Sequence, residues 1–182
     1  MNEVELIRAQ LAVERQHAAA VAQALSSVGS HNGDRLASEA FRQASVDYLV
    51  WILTRFEERE VFFHDLLRGR FAADDPARRA AETSLARAGT SREALAKLET
   101  ALRSSADTDR AARWTDFLQF FDGPWSARRD ELDGVFARQA KVAEWRAVSA
   151  IDADSIFDER SRYERVRTTL PAGADLKPTS GG

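Results

Sequence analysis

The chain has 182 residues, of which 44% are apolar and 30% are charged, and its formal net charge is -3. At roughly 150 residues per domain this length predicts one domain, and the balance of residues excludes a wholly disordered or collagen-like chain. The chain has no cysteine. Disulfides, thiolate zinc sites, iron–sulfur clusters and a cysteine nucleophile are therefore excluded together.

Location and partners are indicated by the apolar and charged segments. No apolar run approaches the ~20 residues that span a bilayer, and the first residues, MNEVELIRAQ, are acidic where a secretory signal is basic. We therefore expect a cytoplasmic protein without a membrane partner. Arginine far exceeds lysine, as in proteins from GC-rich bacterial genomes, and acidic residues are interspersed among the arginines, as in DERSRYERVR. Nucleic-acid binding needs a stripe of basic residues, and this sequence has none. We therefore expect no nucleic-acid partner.

Two long helices are predicted first. Over about residues 2–28, apolar residues recur at alternating spacings of four and three, and only Glu14 interrupts them. The segment SVGSHNGD predicts a turn. A second helix follows from about Leu36 to Arg70, and its centre, VDYLVWIL, is apolar on every side except at Asp47. We expect this helix to be the most buried element.

Shorter helices are predicted in the second half. One begins near Pro76 and ends near Gly89, and a capping box, Thr90-Ser91-Arg92-Glu93, begins the next. The aromatic segment RAARWTDFLQFF predicts another helix, and the helix after it runs from about Pro124 to Ala150. A last helix, capped by Asp152 or Asp154, ends near Arg167.

These elements predict an all-α protein, an antiparallel bundle with a four-helix-like core and extra shorter helices. We expect one domain over residues 1–168. The remaining segment, 169–182, contains PAGADLKPTSGG, has nothing to bury, and is expected to be a flexible tail.

Three ionisable residues interrupt the apolar pattern and form the candidate site. Glu14 occupies a core position of the first helix, and His17 follows one turn later on the same face. If the helices form a hairpin that turns near His31, residues 14 to 17 lie opposite about 45 to 48. Glu14, His17 and Asp47 are then expected to meet between the helices.

The candidate site admits three interpretations, because a buried carboxylate needs a partner. The first is a structural network in which Asp47 accepts a hydrogen bond from His17 or from an arginine. The second is a metal site, since carboxylates and imidazole on facing helices hold iron or another divalent metal. The third is an acid–base enzyme site that uses His17 with Asp47 or Glu14.

The sequence also predicts where His64 and two pairs of phenylalanines lie. His64 lies too far from the bend to share a site with His17, by roughly 28 Å along the helices. Adjacent helix residues point about 100° apart, so one member of each pair Phe62-Phe63 and Phe120-Phe121 is expected in the core. The other member packs within the chain or contacts a partner.

The segments ELIRAQLAVERQH and FEEREVFFHDLL resemble the first two helices of hemerythrin-like (HHE) domains, over about the first 70 residues. The resemblance implies a helical bundle with a di-iron site, in which His17 and Glu57 or Glu58 fall at ligand positions. Leu53 or Thr54 stands where the family has a histidine, and the second half has none. A site of lost or changed chemistry is therefore implied. Glu14-Arg-Gln-His17 also resembles a ferritin-like ExxH motif without its second copy.

The leading functional hypothesis is a helical protein that acts through protein contacts or oligomerisation, without catalysis. It rests on the many aromatic residues in helices and on the lack of a nucleophile, a phosphate loop or a complete metal set. The alternative is a hemerythrin- or ferritin-like metal-binding bundle, whose reduced site uses Glu14, His17 and Asp47.

Overall fold

The computed structural model describes residues 2–28, 35–103, 112, 141–150 and 153–177. Within these ranges the protein is all-α and contains no strand, which confirms the predicted fold class. Its helices are α1 (Glu3–Val28), α2 (Arg35–Arg70), α3 (Pro76–Arg103), α4 (Val142–Ser149) and α5 (Ala153–Thr168). None of these described helices is long and apolar enough to cross a membrane.

Local signals set the helix starts. Asn2 caps α1 through a reciprocal pair of bonds, in which the Glu5 amide donates to Asn2 Oδ1 at 2.9 Å and the Asn2 amide donates to Glu5 Oε2 at 2.7 Å. Asp75 caps α3 by accepting from the Ala77 amide at 2.8 Å, and Pro76 occupies the first position of α3, as predicted.

One predicted boundary is wrong. The sequence predicted that a helix ends near Gly89 and that another begins at Thr90, but α3 continues through both residues to Arg103. A glycine inside a helix costs only about 1 kcal/mol relative to alanine, and no proline follows it here. The capping-box residues therefore form part of a longer helix.

The predicted ends of the other helices can be compared only in part. α1 and α2 match the predicted 2–28 and 36–70 within one residue, and α5 ends at Thr168, one residue after the predicted end. The aromatic helix and most of the helix from Pro124 lie outside the described residues. So do Asp152 and the last five residues of the tail.

The chain forms two compact units. The first comprises Met1–Leu53 with Ser149–Gly182, and the second comprises Thr54–Val148. α2 contributes to both, since it passes from one to the other after Leu53. The single domain expected over 1–168 stays a prediction.

The core of the first unit follows the predicted spacing. On α1 the buried residues at spacings of three and four include Ile7, Ala18, Val21 and Leu25. On α2 the same spacing buries Phe41, Ala44, Tyr48, Leu49, Ile52 and Leu53. Val166 of α5 is fully buried.

The second unit has its own core of apolar residues, namely Phe56, Phe63, Ala81, Leu95, Leu98, Trp145 and Val148. Phe63 is 6% exposed whereas Phe62 is 48% exposed, which confirms that only one member of this pair is in the core. The second pair, Phe120-Phe121, lies outside the described residues. Arg70 at the end of α2 forms an ion pair with Glu144 of α4.

Candidate functional site: a histidine and a tyrosine on one buried glutamate

The first unit contains a cluster of polar side chains at its centre. α1 contributes Glu14 and His17, which are three residues apart and so lie on neighbouring positions of one helix face. α2 contributes Tyr48. α5 contributes Glu159 and Tyr163, which are one turn apart. Glu14 and Tyr48 are fully buried and Glu159 is 1% exposed, so the cluster belongs to the core.

Glu159 is the common acceptor of this cluster. The Tyr48 hydroxyl donates to Glu159 Oε1 at 2.9 Å, and His17 Nδ1 lies 2.8 Å from the same oxygen. A buried carboxylate is costly unless it is paired and hydrogen-bonded. Here donors from two other helices meet that requirement, and they tie α5 to α1 and α2.

Tyr163 covers one face of the His17 ring. The two ring centroids are 3.7 Å apart and the planes are 7° from parallel, so the rings are stacked. Tyr163 also contacts Tyr48 in a tilted arrangement, with centroids 5.8 Å apart. The imidazole is thus held on one edge by Glu159 and on one face by Tyr163.

The contact with Glu159 orients the ring of His17. An ionised carboxylate only accepts hydrogen bonds, so toward an ionised Glu159 the Nδ1–H group of His17 is the donor. In a neutral ring of that tautomer, Nε2 carries the lone pair. The His17 side chain is 27% exposed, so part of the side chain is accessible to solvent.

Burial and the neighbouring charges keep both tyrosines protonated. The pKa of Tyr48 is raised far above its ordinary value, first by burial and then by the charge and hydrogen bond of Glu159 and the charge of Glu14. Burial also raises the pKa of Tyr163, and the Glu159 charge adds to this rise while the Arg167 charge opposes it. Tyr48 therefore acts in this cluster as a neutral donor.

Two of the three predicted site residues lie in this cluster. Glu14 is buried, and its charge acts on Tyr48. His17 bonds to Glu159. The sequence predicted that residues 14 to 17 lie opposite residues 45 to 48. The structure agrees, because His17 and Tyr48 contact the same oxygen, Glu159 Oε1.

Asp47 does not have the predicted environment. It is partly exposed, and its Oδ1 accepts a hydrogen bond from Gln43 Nε2 of the same helix at 3.2 Å. The buried positions of α2 include Ala44, Ser45, Tyr48 and Leu49, and Asp47 falls outside this stripe. The expectation that Asp47 is buried between the helices is therefore wrong, and Tyr48 is the polar residue that α2 places there.

The sequence analysis missed Tyr48, Glu159 and Tyr163. Tyr48 was counted among the apolar residues of VDYLVWIL. Glu159 lies in a helix with acidic and basic residues on most sides, so charge alone does not distinguish it. The three buried residues of α5, Ser155, Glu159 and Val166, lie on one side of the helix, but the sequence alone does not distinguish that side from the others.

His64, in the second unit, has a different environment. It is 2% exposed, its Nδ1 has no hydrogen-bond partner among the described residues, and its ring lies 5.2 Å from that of Phe63. Burial lowers its pKa to about 4, so it is neutral near pH 7. His31 lies outside the described residues.

No family model matches the chain, and comparisons with curated proteins and with solved structures find no match either. The hemerythrin-like resemblance therefore stays an expectation from short motifs. In the described ranges no group of three or more histidine, aspartate or glutamate side chains is arranged to hold a metal ion.

Proposed function

We propose that this helical protein acts through protein–protein contacts, in the simplest form with a second copy of itself, and without catalysis. The observation that carries the proposal is a pair of exposed apolar residues on α1. Leu6 is 51% exposed and Val13 is 37% exposed. They are seven residues apart and lie on one side of the helix, as do residues in the contact seam of paired helices.

Phe62 supports the same proposal in the second unit. It is 48% exposed beside the buried Phe63. Large apolar side chains left in water are the residues that most often become buried at interfaces. Single exposed aromatics are also common on monomers, so the paired positions on α1 carry more weight.

The test is the molar mass in solution, measured by size-exclusion chromatography with light scattering over a series of protein concentrations. We expect the wild type to self-associate and the double variant Leu6→Glu, Val13→Glu to be monomeric. Ala12→Glu is the matched control, because Ala12 is exposed on another side of α1, and it should behave as the wild type does. A wild-type monomer at every concentration, with no partner in pull-downs, would contradict the proposal.

The metal-binding alternative keeps one supporting observation. A histidine that ligates a metal through one ring nitrogen commonly donates the other N–H to a carboxylate, as His17 does to Glu159. Iron or another divalent metal would then bind at Nε2. Elemental analysis of protein purified without chelator tests this alternative. Absence of metal, with no thermal stabilisation by added Fe²⁺ or Zn²⁺, would refute it.

A further inference from the structure

His17 combines a buried hydrogen-bond partner with partial exposure of its own side chain. Its Nδ1 is bonded to a carboxylate that is 1% exposed, while the side chain itself is 27% exposed. In the neutral ring with Nδ1 protonated, the lone pair is on Nε2, the ring nitrogen that does not contact Glu159. This is the form in which an imidazole attacks an electrophile.

The buried carboxylate also compensates the charge that such an attack creates. When Nε2 forms a bond to an electrophile and Nδ1 keeps its proton, the ring becomes cationic. Glu159 lies 2.8 Å from Nδ1 in the core, where its charge is screened little by water. The arrangement therefore stabilises a substituted, positively charged ring more than the free imidazole.

Two exposed arginines lie on the side of α5 that carries Tyr163, among acidic residues. Arg160 and Arg167 stand three residues before and four residues after Tyr163. Arg167 is close enough to Tyr163 for its charge to act on the phenol. It also pairs with the exposed Glu164 at 2.8 Å. Arginine forks match the oxygens of a phosphoryl group in geometry and charge.

We propose that Nε2 of His17 is a phosphoryl-acceptor site, which takes its group from a donor with a good leaving group, such as an acyl phosphate or a phosphoramidate. The Nε2 lone pair forms the N–P bond, the bond from phosphorus to the leaving group breaks, and its electron pair departs with that group. Nδ1 keeps its proton and its bond to Glu159. Glu159 is a positioning residue in this step, because it acts only through the ring.

The test uses the full chain and phosphoramidate, whose leaving group is ammonia, at neutral pH. Intact mass spectrometry follows the addition of one phosphoryl group, and ³¹P NMR distinguishes Nε2 from Nδ1 as the attached atom. We expect a single addition, on Nε2 of His17. His17→Gln should abolish it, whereas the matched variants His31→Gln and His64→Gln should leave its rate unchanged.

Glu159→Gln keeps the size of the side chain and removes its charge. We expect this variant, if its helical circular dichroism matches the wild type, to be phosphorylated about tenfold more slowly. Carboxylates that hold the ring of a metal-ligating histidine contribute about tenfold or more, and Glu159 holds the ring of His17 in the same way.

Three results would overturn the proposal. They are attachment at Nδ1, equal modification of several histidines, and a folded Glu159→Gln variant that reacts as fast as the wild type. If Glu159→Gln does not fold, the wild type in concentrated urea replaces it. His17 should then react about tenfold more slowly than in the folded protein, and an equal rate would overturn the proposal as well.

Discussion

The ring of Tyr163 lies flat against the ring of His17, with centroids 3.7 Å apart and planes within 7° of parallel. One turn earlier on the same helix, Glu159 holds the Nδ1 edge of that imidazole. α5 therefore contacts His17 of α1 through two residues, Glu159 and Tyr163, which are one turn apart on the same face of α5. Val166, the next buried residue of α5, continues the same side into the core.

The two tyrosines of this cluster differ in a way that can be measured. Tyr48→Phe removes a hydrogen bond to a buried carboxylate and should lower the free energy of unfolding by about 1.5–3 kcal/mol. Tyr163→Phe keeps the stack on His17 and removes a hydroxyl that has no hydrogen bond in the described part of the chain. It should change stability by less than about 0.5 kcal/mol.

Urea titrations at pH 7.5, followed by circular dichroism, compare these two variants with the wild type. Equal losses of stability would show that the Tyr48 hydroxyl contributes no more than an exposed one. The assignment of Glu159 as the centre of the cluster would then fail.

Alkaline pH should destabilise the wild type through Tyr48. Its pKa in the folded protein is raised above the ordinary 10.0 by burial and by Glu159, so the unfolded chain ionises first as pH rises. The stabilising contribution is complete below pH 10 and is lost above it, at about 1.4 kcal/mol per pH unit for one group. Urea midpoints between pH 8.5 and 11 should fall less steeply in Tyr48→Phe. Parallel curves would contradict the raised pKa.

The burial of α2 was predictable from the sequence and gives a direct test. Leu53 is 7% exposed, so Leu53→Ala should cost about 2–5 kcal/mol through lost transfer energy and the cavity left behind. Leu6 is 51% exposed in the single chain and serves as the matched leucine at protein concentrations at which the chain is monomeric. There the same substitution should cost well under half as much. Chemical denaturation of both variants provides the comparison, and equal losses would refute the assigned faces.

Periodicity identified the helices and most of the core but only part of the cluster. Glu14 and His17 were found because they stand in an apolar stripe, where a charge is conspicuous. Asp47 was selected by the same argument, yet one residue's difference in phase places Tyr48 in the core and Asp47 on a partly exposed face.

Glu159 was missed for the converse reason. α5 is short and rich in charged residues, so its buried acidic position does not stand out from its exposed ones. Its burial depends on a contact between residues 142 positions apart, His17 and Glu159. Local spacing contains no information about a partner so distant along the chain.

His64 makes the second unit sensitive to acid. Its ordinary pKa of 6.5 falls to about 4 in the folded protein because the ring is buried. The unfolded chain therefore takes up a proton first as pH decreases. The stability due to the neutral ring is complete above pH 6.5 and is lost as pH falls toward 4, up to about 3 kcal/mol. His64→Leu removes this titration and should flatten the dependence of the urea midpoint on pH between 7.5 and 4.5. His17→Gln is the control, because His17 is the other described histidine. If His17→Gln flattened the pH dependence of the urea midpoint as much as His64→Leu does, the acid sensitivity could not be assigned to the buried ring of His64.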